Sequence, residues 1–84
     1  MKKPSKTPKA REVFARNLRR MRRLRDISQE ELALRSGLSR TYLSEVERCT
    51  RNISIDNMGL LAVALQVPLK DLVDADMFKA LDQS

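Results

Sequence analysis

The chain has 84 residues, 42 % hydrophobic but only 4 % aromatic, which leaves room for one small aliphatic core and no second one. With no His and a single Cys, Cys49, it excludes an internal disulfide and an ordinary zinc site. The net charge of +6 is polarised into +10 over residues 1–25 and −4 over residues 26–84, a distribution that attracts polyanions with salt-sensitive affinity.

Residues 1–9 (MKKPSKTPK) are polar, basic and interrupted by Pro4 and Pro8. A disordered arm is expected there, either a solvated tail or a segment that touches DNA. Residues 10–25 form the first predicted helix. Phe14, Leu18 and Met21 recur at i, i+4 and i+7 as its buried stripe, with Leu24 at the edge and Arg16, Arg19, Arg20 and Arg23 around the rest. Asp26, which tolerates a left-handed backbone better than most residues, ends it. Ser28 and Glu31 read as a capping box for a second helix over residues 30–36. The free N–H groups at that helix start offer a seat for a phosphate, with Gln29 alongside.

Gly37 can take the φ > 0 conformation that stops the second helix, and Ser39 opens a third over residues 40–48. Ala33 and Gly37 are small where two steeply crossing helices must approach. Leu32, Leu38, Leu43 and Val46 face inward, while Arg40, Thr41, Ser44 and Glu45 fall on the outer side of the third helix. A polar outer face on a helix held by its neighbour is how a helix-turn-helix presents side chains to the major groove.

A loop over residues 49–54 leads to Ser54, which caps an apolar helix over residues 55–66. Its expected core face is Ile55, Met58, Leu61, Ala62 and Leu65, with Gly59 a weak point costing ~1 kcal/mol against Ala. Val67-Pro68 breaks the chain before a fifth short helix, residues 69–73, and residues 74–84 add a turn or two carrying Met77, Phe78 and Leu81. Strand-like alternation is confined to residues 53–55. The expected architecture is all-α: a basic arm over 1–9, a five-helix domain over 10–76 and a tail over 77–84.

The run QEELALRSGLSRTYLSEVER resembles the lambda-repressor-like (XRE/Cro-type) helix-turn-helix family, and the resemblance extends over about residues 14–73. The five-helix order, the Gln at the start of the second helix, the Ala-x-x-x-Gly spacing and the VPLKDLV ending all fit. Within that family, SRTYLSEVERCTRNISIDNM is most similar to restriction-modification controller proteins. Two turn positions depart from the pattern: Asp26 stands where Gly is usual, and Cys49 where Gly or Asn is common. The resemblance implies a sequence-specific transcription regulator, repressor or controller, that binds double-stranded operator DNA as a homodimer. It also implies that Arg22 and Glu47 are a buried structural ion pair joining the first and third helices, not DNA contacts.

Residue chemistry assigns the expected roles. Arg40 leads as base reader, since a guanidinium bonds bidentately to guanine O6 and N7. Thr41 offers a hydroxyl and a methyl to base edges, and Ser44 is small enough for close approach. Glu45 either accepts from cytosine N4 or orients Arg40. Gln29, Arg48, Thr50, Arg51 and Asn52 form the expected backbone set, which sets register without reading sequence. Tyr42 is expected to pack its ring on the domain while its hydroxyl reaches a phosphate. Leu60, Val63, Leu69, Val73, Met77 and Phe78 are the dimer candidates, and a two-fold dimer sets half-sites about 10 base pairs apart.

Rival functions fare worse. No nucleophile–base constellation or Gly-rich phosphate loop points to an enzyme, and no cofactor or small-molecule ligand is expected. The Phe14-Leu18-Met21 stripe is needed inside, which argues against a membrane surface. No apolar run follows Met1, so neither a signal peptide nor a span is expected and a bacterial or phage protein of the cytoplasm follows. Cys49 beside Arg48 and Arg51 reads as a turn filler before an oxidant sensor. An antitoxin-type repressor or protein-interaction module on the same scaffold is the alternative.

Overall fold

The structure, a computed structural model, describes residues 9–79. The basic arm up to residue 8 and the tail from residue 80, with Leu81, lie outside the described residues. Five helices follow in order: α1 (Ala10–Leu24), α2 (Gln29–Ser36), α3 (Arg40–Glu47), α4 (Ile55–Leu65) and α5 (Leu69–Leu72). Among the described residues there is no strand, and Ile53 and Ser54 are coil leading into α4.

Serine starts three of the helices. Ser28, Ser39 and Ser54 accept from the backbone N–H of Glu31 (3.0 Å), Tyr42 (3.0 Å) and Asn57 (3.1 Å), a cap of ~1 kcal/mol each. The reciprocal arm of the box at Ser28 is not made. Glu31 turns along α2 to accept from Arg35 Nε at 2.8 Å, the ordinary i, i+4 pairing of an exposed helix face. That arm is made at α1, where Glu12 Oε1 accepts from the Lys9 backbone N–H at 3.0 Å.

Left-handed backbone stops or turns the chain at Asp26 (φ 60°), Gly37 (φ 77°), Cys49 (φ 64°) and Gln66 (φ 60°). Only one of these is glycine. Asp26 and Cys49 therefore keep the turn geometry their neighbours require at a cost of about 1 kcal/mol each.

Leu18, Leu32, Leu43, Leu61, Leu65 and Leu72 are fully buried and are joined by Phe14, Met21, Ile27, Ala33, Val46 and Ala62. α2 packs on α3 and α4, while α1 packs on α3 and α5. Leu38 is half-buried against this core. Ile55, expected inside, is 69 % exposed. It has the right azimuth, but side chains tilt toward a helix N-terminus, so the first residue projects past the packed layer. Leu24 is likewise exposed at the end of α1.

Two dimer candidates turn out to belong to the monomer. Phe78 is buried at 6 % exposure with the Arg20 guanidinium 5.6 Å from its ring centroid, and Met77 is half-buried on the same core. The cause lies on α1. Asn17, fully buried, directs its Nδ2 at the carbonyls of Asp71 (3.3 Å), Leu72 (3.2 Å) and Asp74 (2.8 Å). Arg16 Nη2 donates to the Ala75 carbonyl at 2.9 Å. Together they draw the chain after α5 onto α1 and seat Phe78. Leu69 is also half-buried, which leaves Leu60, Val63 and Val73 as the exposed apolar candidates.

Candidate nucleic-acid interface

Glu47, the last residue of α3, fixes the attitude of that helix. Its carboxylate is 2 % exposed and takes a two-pronged guanidinium contact from Arg22, Nε to Oε2 at 2.7 Å and Nη2 to Oε1 at 2.9 Å. Gln29 Nε2 adds a third bond to Oε1 at 2.9 Å. Arg22 also donates to the Ile27 carbonyl at 3.0 Å, and Arg19 donates to the Glu47 carbonyl at 2.5 Å. One carboxylate thus ties α1, α2 and α3 together in the geometry that makes such pairs strong. The implied Arg22–Glu47 pair is present. Gln29 is part of the same knot, so its expected phosphate role is left to the second hydrogen of its amide nitrogen.

With the inner face locked, the outer face of α3 is set. At 100° per residue, Arg40, Ser44, Arg48, Thr41 and Glu45 span an arc of about 140°. Arg40 and Thr41 are exposed, and Ser44 and Glu45 are half-exposed. The Arg40 side chain makes no hydrogen bond or ion pair with a described residue. Arg48 Nη1 donates to Ser44 Oγ at 2.7 Å. Glu45 does not orient Arg40. It pairs with Arg51, Nη1 to Oε1 at 2.8 Å, because Arg40 lies about 140° round the helix from Glu45 while the turn at Cys49 folds Arg51 back over it.

The loop residues are more committed than the sequence suggested. Thr50 Oγ1 donates to the Glu45 carbonyl at 3.1 Å and so closes the end of α3. Asn52 Oδ1 accepts from the Arg11 guanidinium, which brings α1 to the edge of this face. The Tyr42 ring packs against the core, as expected. Its hydroxyl accepts from Asn57 Nδ2 at 3.1 Å, and its ring lies 5.2 Å beneath the Arg51 guanidinium. Arg11, Arg19 and Asn57 had no role in the sequence reading. Each acts through a partner far along the chain, and only the folded backbone supplies such partners.

Among the described residues, no group of three or more His, Cys, Asp or Glu side chains can hold a metal ion, and no helix is long and apolar enough to cross a membrane. A locked helix with a polar, cation-flanked outer face is a reader of a polyanion groove.

The helix-turn-helix family profile matches residues 18–72, from mid-α1 to the end of α5. The chain belongs to this helix-turn-helix family. Its members are DNA-binding transcription regulators, not enzymes. Control protein C.BamHI of Bacillus amyloliquefaciens is 44 % identical over 63 residues, 74 % of this chain and 78 % of that one. The crystal structure of the restriction-modification controller protein C.AhdI from Aeromonas hydrophila superposes with a TM-score of 0.72 at 42 % identity, covering 74 % of this chain and 94 % of that one. The hypothetical transcription factor NHTF from Neisseria superposes with a TM-score of 0.80 at 37 % identity, over 99 % of this chain and 98 % of that one. This helix-turn-helix chain is a sequence-specific DNA-binding regulator.

Proposed function

We propose that the protein is a controller-type regulator that binds two operator half-sites as a homodimer, each α3 lying in the major groove with Arg40 leading. The observation that carries this reading is the outer face of α3. Arg40 and Thr41 are exposed at the first turn, and Arg40 is bonded to no described residue, while Glu47 holds the helix rigid from behind. Arg40 reads guanine, Thr41 a neighbouring base edge, and Arg48 and Arg51 flank them toward the phosphates. Ser44 permits close approach. Gln29, Thr50 and Asn52 serve mainly as supports for that face, with their remaining polar atoms at its rim. The Tyr42 hydroxyl keeps its own hydrogen for a phosphate oxygen.

Dimerisation uses the outer side of α4. Leu60 is 46 % and Val63 77 % exposed, about 60° apart around α4, and Val73 after α5 is 51 % exposed. Two apolar side chains bare to water on a short helix mark a contact surface. A duplex partner implies the bacterial cytoplasm. The test is selection of duplexes from a random library, followed by affinity titration of the parent and of Arg40→Ala. The parent should select a two-fold symmetric site, and Arg40→Ala should retain salt-sensitive binding but lose preference at one base of each half-site. Equal selectivity in the two proteins would remove Arg40 from base reading.

A further inference from the structure

We infer that Asn57 is a positioning residue for base discrimination, acting from α4 on the outer face of α3 through Tyr42, Arg51 and Glu45. The inference rests on the reading that α3 enters a DNA groove. The four side chains form one connected series. Asn57 Nδ2 donates to the Tyr42 hydroxyl at 3.1 Å, the Tyr42 ring carries the Arg51 guanidinium at 5.2 Å, and Arg51 Nη1 donates to Glu45 Oε1 at 2.8 Å. The first link joins residues of different helices, α3 and α4.

The anchoring end is the rigid one. Asn57 sits in the first turn of α4, and its backbone N–H is already satisfied by Ser54 Oγ at 3.1 Å. Its side chain is therefore not needed to start the helix and is free to hold Tyr42. The far end is soft by itself. Arg51 belongs to the loop after α3, with its side chain 55 % exposed, against 30 % for Glu45. An exposed pair of this kind gains little once side-chain entropy and screening are counted. An aromatic ring fixed beneath the guanidinium removes part of that freedom before DNA arrives. Only Oε1 of Glu45 is used by Arg51, so Oε2 stays available to a cytosine amino group, in an orientation that Arg51 sets.

The direction of the first bond adds a second consequence. Because the Tyr42 oxygen accepts from Asn57, its hydrogen is left to donate outward. Asn57 thereby fixes the aim of that hydroxyl as well as the tilt of the ring.

The test compares the full chain with Asn57→Ala and Tyr42→Phe. Each protein is titrated by fluorescence anisotropy on the duplex that the parent selects and on its single-base variants, over a salt series, with thermal melts alongside. Asn57→Ala should melt near the parent and keep its salt dependence. Its discrimination at the base facing Glu45 should fall about fivefold, the lower end of what one well-placed contact supplies. Tyr42→Phe keeps the ring but removes the acceptor together with the hydroxyl's phosphate contact, so it should show the same loss at that base on top of a weakening shared by all sequences, and the double variant should lose no more discrimination than either alone. Should Asn57→Ala fail to fold, Tyr42→Phe carries the test. Unchanged discrimination at that base in either variant, or additive losses of discrimination in the double variant, would each overturn the relay. If Arg40→Ala loses selectivity while Asn57→Ala does not, the relay alone falls. A parent with no sequence preference refutes the DNA reading and the relay with it.

Discussion

Glu47→Ala is the most informative single change, because the structure says what it leaves behind. Arg22 loses both carboxylate bonds and Gln29 loses its acceptor, while Arg22 Nη1 keeps the Ile27 carbonyl. Arg19 keeps its bond as well, since it goes to the backbone carbonyl of residue 47. A guanidinium only 12 % exposed is stranded without its counter-charge. Breaking a buried pair in this way costs about 3–5 kcal/mol. The retained Ile27 bond puts the expected value near the low end, about 3 kcal/mol. For a domain of this size, that lowers the melting temperature by roughly 12–24 °C. The double change Arg22→Met with Glu47→Leu removes both charges, and replacing a whole pair with apolar groups is often neutral. It should return to within about 1 kcal/mol of the parent. Urea unfolding followed by helical circular dichroism, at one protein concentration because dimerisation couples to stability, measures both. A single variant within about 1 kcal/mol of the parent, or a double variant as unstable as the single, would refute the reasoning.

Three further outcomes are expected. Gly37→Ala and Gly59→Ala should have opposite signs although neither new methyl meets an atom within 4 Å. The first forces a side chain onto φ 77° and should cost about 1–2 kcal/mol, while the second relieves a helix interior and should gain about 0.4–1 kcal/mol, both read from urea midpoints. Val63→Glu should give a folded monomer by analytical ultracentrifugation with weakened operator binding; an unchanged dimer would acquit the outer side of α4. Arg48→Ala should weaken binding about equally on all duplexes and lower the salt-dependence slope by about 1, and a loss confined to one sequence would make it a base reader instead.

The helices were legible because each is written in local terms: Ser28, Ser39 and Ser54 before an apolar period, Gly37 and Asp26 after one. Their bounds match expectation at five ends and differ by one residue at the other five, as caps and frayed turns usually do. Less legible was anything resting on a partner far along the chain. Nothing local marks out Asn17 on α1, yet its amide meets three carbonyls more than fifty residues away. That contact decides the fate of Phe78, which periodicity alone left free to be an interface. Of the two roles open to Glu45, orienting Arg40 fails because proximity in sequence is not proximity in space. Glu45 and Glu47 show the opposite case. They are two residues apart and so about 200° apart around α3. The period alone sends one outward to Arg51 and the other inward to Arg22.

The charge block at the N-terminal end of the sequence reads differently once folded. Residues 1–25 carry eleven Lys/Arg, but on α1 Arg16 and Arg19 bond carbonyls, Arg22 pairs with Glu47 and Arg20 covers Phe78. Those arginines hold the fold, and Arg16 and Arg19 also border a surface depression together with Arg48. A bond to a carbonyl does not cancel a charge, however. Arg16 and Arg19 still contribute to a positive field within a Debye length of about 8 Å at physiological salt, whereas Arg22 is largely neutralised by its partner. The block should therefore matter for the rate of encounter with a duplex, and Arg40, Arg48 and Arg51 for what happens on arrival. Arg23→Gln with Arg25→Gln, two exposed positions at the C-terminal end of α1 and its cap, separates the roles. Stopped-flow association at low salt should slow in that variant while base preference stays as in the parent, and a shift in preference would place α1 inside the reading site.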